Sequence, residues 1–281
     1  MTSYFATNLK YEFIFVFSYN YKILVQIYKM SYKFIFVILS SSYLEKTNAY
    51  YNSSNKYQIL KDYNKIYFDM FKNDIKFFFI EYNKDISEDV LEVGDFIYVK
   101  GLEDPMVPNM LIKNVKAINY INSKYNYDYI IRSNLSTFWN IPVLFSLYNN
   151  IPRNNLFGGH YIFNNFITGT GIIISHDIVP ILLKINPMSH DNDDVAISHF
   201  MKSKNIRIFH LEKSNHYKMN YQILDENVTD INSPHHKNKV LEINETTNTD
   251  DILYFRIRNA SQERDLLVTK KILKKLYNIV L

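Results

Sequence analysis

Residues 125–140 read Tyr-Asn-Tyr-Asp-Tyr-Ile-Ile-Arg-Ser-Asn-Leu-Ser-Thr-Phe-Trp-Asn. The first half predicts a buried strand, because Tyr127, Tyr129, Ile130 and Ile131 form a short apolar, β-favouring run. The run turns polar at Arg132, Ser133, Asn134 and Ser136. Trp139, the sole tryptophan, follows, and Pro142 stands where a helix can begin. A buried strand that ends in small polar groups is how an open α/β sheet presents a site, in the crevice beyond the strand carboxyl ends. A capped loop between strand and helix, with Ser133 or Ser136 as the N-cap, explains the same residues without any ligand.

Working outward, Lys33 to Leu39 is a continuous apolar run, as expected of a strand buried on both faces, and Ser40, Ser41 and Ser42 follow it. Apolar spacing predicts a helix over Ser54–Lys72 and strands over Ile75–Tyr82 and Asp95–Val99. Pro105 and Pro108 open a helix that runs to Lys124. Beyond the quoted stretch, strands are expected at His160–Phe163, Gly171–Ser175 and Ile206–Leu211. Helices are expected at His176–Ile185, Asp194–Lys202 and Gln262–Val280, with a polar loop over Leu224–Thr249. Alternating strands and helices predict an α/β, Rossmann-like domain with a mostly parallel mixed sheet flanked by helices. That domain is read as residues 30–281, preceded by an extension over residues 1–29. Asn20, Lys22, Gln26 and Lys29 interrupt the apolar part of this extension, so it predicts no transmembrane helix, and without a basic n-region and a small-residue cleavage site it predicts no secretion signal. It is an upstream segment or a peripheral hydrophobic arm, and membrane association is not expected.

A hydrophobic fraction of 47% across 281 residues is ample for one core. The formal charge of +4 is spread through interleaved acids and bases, so no nucleic-acid stripe is expected. The 24 tyrosines accompany abundant Asn, Ile and Lys, the bias of an AT-rich genome such as that of a large DNA virus. With no cysteine, disulfides and thiolate metal sites are excluded, and an intracellular, cytoplasmic setting is expected.

Two clusters could carry chemistry. The chain has 6 glycines, and Gly158, Gly159, Gly169 and Gly171 share one short window. They mark either a close approach of backbone to a ligand or tight turns. His190-Asp-Asn-Asp-Asp194 precedes an apolar helical run. One of its carboxylates is either a general base or an N-terminal helix charge, and His190, Asp191 and Asp193 could together hold a metal.

Three blocks, in order, resemble a nucleotide-sugar glycosyltransferase of the A-type fold, of the β-1,3-galactosyltransferase-like group. They are Tyr129-Ile-Ile-Arg-Ser-Asn-Leu-Ser-Thr-Phe-Trp-Asn140, then Gly158-Gly-His-Tyr161 with Thr168-Gly-Thr-Gly-Ile-Ile-Ile-Ser175, then Asp193-Asp-Val195. The resemblance spans about Lys33 to Leu211. It implies an inverting transfer of a hexose or N-acetylhexosamine from a donor such as a UDP-sugar to a glycan, glycoprotein or other glycoconjugate hydroxyl, with Asp194 as base. It assigns Ser40, Ser41, Arg132, Asn134, Ser136, Gly158, Gly159 and Gly169 to the donor. Trp139, His160 and Asp193 fall to the acceptor side, and Arg256 and Arg258 to the diphosphate. One departure matters: the family's metal-binding acidic pair stands here as Asn134-Leu135-Ser136, and neutral oxygens are poor ligands for a hard cation. Mn2+ or Mg2+ is then held by other groups, such as His210 or Asp193, or catalysis is metal-independent with arginine neutralising the leaving group. A catalytically inactive nucleotide-sugar or carbohydrate-binding protein fits the same departure.

Overall fold

The structure is a computed structural model that describes residues 14–19, 22–27, 31–41, 54–103, 105–162, 165–211, 221–224, 248–258 and 262–281. The chain opens with β1 (Ile14–Tyr19) and β2 (Lys22–Ile27), an antiparallel pair forming a two-stranded sheet of its own. There follow β3 (Ser31–Leu39), α1 (Ser54–Asp69), β4 (Ile75–Tyr82), β5 (Val90–Val93), β6 (Phe96–Val99), α2 (Met106–Lys124), β7 (Asn126–Asn134), β8 (Thr137–Trp139) and α3 (Ile141–Tyr148). Then come β9 (Phe157–Ile162), β10 (Phe166–Ser175), a 3-10 turn at His176–Ile178, α4 (Val179–Leu182), α5 (Asp193–Ser203), β11 (Ile208–His210), β12 (Tyr221–Leu224), β13 (Tyr254–Arg258) and α6 (Gln262–Tyr277). No helix among the described residues is long and apolar enough to cross a membrane.

Eight strands form one sheet in the order β11-β9-β10-β7-β3-β4-β6-β5. β10 and β5 run against the other six, so the sheet is mostly parallel and mixed, as the alternation of elements predicts. Helices cover both faces. Along β3, Phe34, Phe36 and Ile38 pack into one core with α1, α3 and α6, while Ile35, Val37 and Leu39 pack into the other with α2, α4 and α5. Successive side chains point to opposite faces, so a strand covered on both sides must be apolar throughout. Phe36 is fully buried between Phe68 and Trp139, with ring centroids 4.7 and 5.3 Å away. Phe36→Ala is expected to cost about 3–5 kcal/mol, read as a lower urea midpoint at unchanged slope.

The chain moves from β3 to β4 and β6 on one side, then returns through α2 to place β7 on the other flank of β3. The order therefore reverses between β3 and β7, whose ends meet at Leu39 and Asn134. That is where an open α/β sheet leaves a crevice beyond its carboxyl ends.

The structure departs from the sequence pattern in several places. β7 continues through the polar Arg132, Ser133 and Asn134, because Arg132 finds a buried carboxylate and Trp139 Nε1 donates to Ser133 Oγ at 2.9 Å. The cap of α3 is Asn140, which accepts from the Val143 N–H, and not Ser133 or Ser136. The helix expected over His176–Ile185 is a 3-10 turn and one turn of α4. β1, β2, β5, β8, β12 and β13 have no counterpart among the expected elements, and β8, β12 and β13 form their own sheet in the order β12-β13-β8. Of the loop expected over Leu224–Thr249, residues 225–247 lie outside the described residues.

Candidate functional site

The carboxyl ends of β3 and β4 carry a buried ionic chain. Ser40 Oγ and Lys61 Nζ both donate to Glu81 Oε1, each at 2.7 Å. Lys113 Nζ donates to the Ser40 carbonyl at 2.7 Å and to both oxygens of Glu103 at 2.8 Å. Lys61, Glu81 and Lys113 are all buried. Burial lowers the Lys113 pKa, and Glu103 beside it opposes that shift. Buried charges persist only when paired and hydrogen-bonded, and here each has a partner. Sequence reading missed all four charged groups. Their signal was a Glu closing an apolar strand, and Lys113 and Asn114 inside the apolar stripe between Leu111 and Ile118. Ser40 is thereby occupied on both its hydroxyl and its carbonyl, so its reading as a donor ligand gives way to a structural one. Ser41 is partly exposed at the strand end.

Arg132 stands on β7 with its side chain 2% exposed, facing an equally buried Asp193 at the start of α5. Its Nε donates to Asp193 Oδ2 at 2.9 Å and its Nη2 to Oδ1 at 2.8 Å, a two-pronged pair. Asn114 Nδ2 donates to the same Oδ2 at 3.1 Å. The remaining Nη1 donates to Asn134 Oδ1 at 2.8 Å and to the Gly169 carbonyl. Arg132 is therefore a positioning residue that joins β7, β10 and α5. It is not a free cation for a diphosphate, because its charge is already neutralised.

Asp194, one residue on, is partly buried. Its Oδ2 accepts the Gly169 N–H at 2.8 Å and its Oδ1 the Val195 N–H at 2.9 Å. Burial and the neighbouring Asp193 raise its pKa above the ordinary carboxylate value, while Arg132 and the two N–H donors pull the other way. A chain of contacts thus runs from Asp194 to Gly169, Arg132 and Asn134. A raised folded-state pKa means that the native state holds this proton more tightly than the unfolded chain. The stability Asp194 contributes is full below the ordinary value of 3.8 and is lost as pH rises through the folded value. The gap between wild type and Asp194→Asn, measured by urea unfolding across that range, is expected to shrink or invert as pH rises.

Ser136 stands just past β7, where Arg256 Nη1 donates to its hydroxyl. β13 brings Arg256 there by pairing Arg256 opposite Thr137 of β8. Arg258 lies on the same strand, and its side chain is outside the described residues.

The other expected residues are placed by packing. Trp139 is 1% exposed, packed edge to face on Phe36 and tilted against Tyr254, and offers no wall to an acceptor. A Cβ on Gly158 would sit 3.2 Å from the Leu211 side chain and the Phe209 carbonyl, and one on Gly159 would strike Ile167 and the Gly171 carbonyl. At Gly169 it would meet the Arg132 guanidinium, with Cζ 2.9 Å away, and at Gly171 the Trp139 ring at 2.8 Å. These glycines admit neighbouring protein, not a ligand, and none has a positive φ. His160 is partly exposed on β9.

The residues named for a divalent cation do not fit one. Both Asp193 oxygens are taken by Arg132 and Asn114, Asp191 lies exposed beside His199 at 3.9 Å, and His210 shares a cavity with Lys202 and Arg207. Among the described residues no group of three or more His, Cys, Asp or Glu is placed to hold a metal. No protein-family model matches the chain, and no curated protein matches it.

Proposed function

We propose that the protein is a glycosyltransferase of the A-type fold that moves a sugar from a nucleoside-diphosphate donor, UDP-linked, to a glycan or glycoconjugate hydroxyl with inversion. The observation that supports this reading is the chain of contacts Asp194–Gly169–Arg132–Asn134, which links a carboxylate of raised pKa to the end of β7, beside the end of β3. A mostly parallel mixed sheet covered by helices on both faces is what the family resemblance implies.

In this mechanism Asp194 accepts the proton of the acceptor hydroxyl as that oxygen attacks the anomeric carbon. The bond from the anomeric carbon to the diphosphate breaks, and its electron pair leaves with the nucleotide. The two N–H donors fix the carboxylate while a lone pair on each oxygen stays open. Asn134, Ser136 and Ser41 line the strand ends where the donor lies, and Arg256, fixed on Ser136, is the cation for the leaving diphosphate. No step runs through a metal ion.

The test is a thermal-shift screen of nucleotide sugars, with manganese and with chelator. A UDP-sugar at 100-fold its Kd stabilises the fold by about 2.7 kcal/mol. Failure of every nucleotide sugar to raise Tm would end the proposal. A second reading, a binding protein without catalysis, is favoured by the neutral oxygens of Asn134 and Ser136 where the family has carboxylates. Slow hydrolysis of the bound donor to free sugar separates the two.

A further inference from the structure

We propose that the cavity at the last turn of α5 is a second ligand site, and that it takes a small ring-bearing molecule through an anionic group, a phosphate or a carboxylate. The cavity measures about 460 Å3, within the usual range for small-molecule pockets. Lys202 enters it from α5, Asn205 and Arg207 from the following loop, His210 from the edge strand β11 and Tyr161 from β9, over a floor of Ile206 and Ile208. Among the described residues, two permanent cations line it and no carboxylate does. Arg207 is exposed and has no ion-pair partner among the described residues, so its guanidinium is available to grip an oxyanion with two parallel bonds. Lys202 is anchored by donating to the Asn165 carbonyl and rides 5.2 Å from the Tyr161 ring centroid, which holds its charge at the cavity wall.

The aromatic half of the lining sets the kind of anion. Tyr161 and His210 meet edge to face, with centroids 4.6 Å apart and planes at 86°. The Tyr161 and His210 rings with Ile206 and Ile208, beside two cations, suit a molecule with a ring as well as a charge, such as a sugar phosphate or a uronic acid, better than a bare ion. The same cations repel a divalent metal, so His210 fits an anion site. Lys202 follows Asp194 by eight residues on α5, about 12 Å of helix rise. The cavity and the Asp194 crevice are therefore at opposite ends of one helix, and this inference does not rest on the transferase reading.

Backbone amide shifts of the full chain, titrated with glucose 6-phosphate, glucuronate and uncharged glucose, decide it. Saturable shifts confined to residues 161 and 202–210 are expected from at least one of the two anions and none from glucose, and the tighter anion identifies phosphate or carboxylate. Weakening of binding by tenfold or more is expected from Arg207→Gln and from Lys202→Gln, with Lys84→Gln on the exposed β4–β5 loop unchanged. Arg207 is exposed, so its variant folds and the result is interpretable. Glucose binding as well as the anions, no shift from either anion, or unchanged affinity in Arg207→Gln overturns the site. Shifts at Asn134 and Gly169 instead would locate the anions in the crevice and also overturn it.

Discussion

Asp194→Asn is expected to lower turnover of the nucleotide sugar by about 10²- to 10⁴-fold, the usual contribution of a positioned base. Donor affinity should stay within about twofold, because the amide keeps the shape of the carboxylate and its one oxygen still accepts one of the two N–H groups, of Gly169 or of Val195. The measurement is transfer, or donor hydrolysis where the acceptor is unidentified, alongside donor Kd by calorimetry. Loss of both turnover and donor binding would mean that Asp194 shapes the site and does not serve as base. Retained turnover would remove it from the mechanism. The raised pKa adds a second readout: the acid limb of the activity profile should lie above the ordinary aspartate value of 3.8. Removing Arg132, which lowers that pKa, should move the limb further up.

Arg132→Met carries the second large effect, and it falls on stability. The substitution leaves Asp193, 2% exposed, as a buried charge with only Asn114 as partner, and strips Asn134 and the Gly169 carbonyl of their donor. Removing one member of a buried pair costs about 3–5 kcal/mol. That is a large part of the total stability of a domain, about 5–15 kcal/mol. Urea unfolding of Arg132→Met, Asp193→Leu and the double variant forms the cycle that checks it. The double variant should recover most of the loss, since two apolar side chains leave no stranded charge. If both single variants lose under about 1 kcal/mol, the pair is not the clamp between β7 and α5.

The elements that local pattern could announce were announced. β3 and β4 are buried on both faces, so Phe34–Leu39 and Phe77–Ile80 had to be apolar without interruption. β13 could not be read this way, because two of its five residues are arginine and its pairing partner β8 is three residues long. The ionic chain escaped for a different reason. Glu81 is 20 residues from Lys61, Ser40 is 73 from Lys113, and Arg132 is 61 from Asp193. Each looks like a surface charge until the fold supplies its partner. Asp194 and Asn134 were singled out by motif, and Arg132 by adjacency, but the role of Arg132 differs. The glycines were noticed for their scarcity, yet what fills the space beside them is protein.

Tyr277, near the end of α6, accepts the Ile141 N–H at 3.0 Å and donates to the Trp139 carbonyl. Those groups lie 136 and 138 residues earlier in the chain. On a ribosome adding about 5–20 residues per second, the segment that carries Trp139 waits roughly 7–28 s for the tyrosine that fastens it. Throughout that interval the aromatic layer of Phe138, Trp139 and Tyr67 lacks its last cover, so the nascent chain keeps apolar surface in water until its final helix is made.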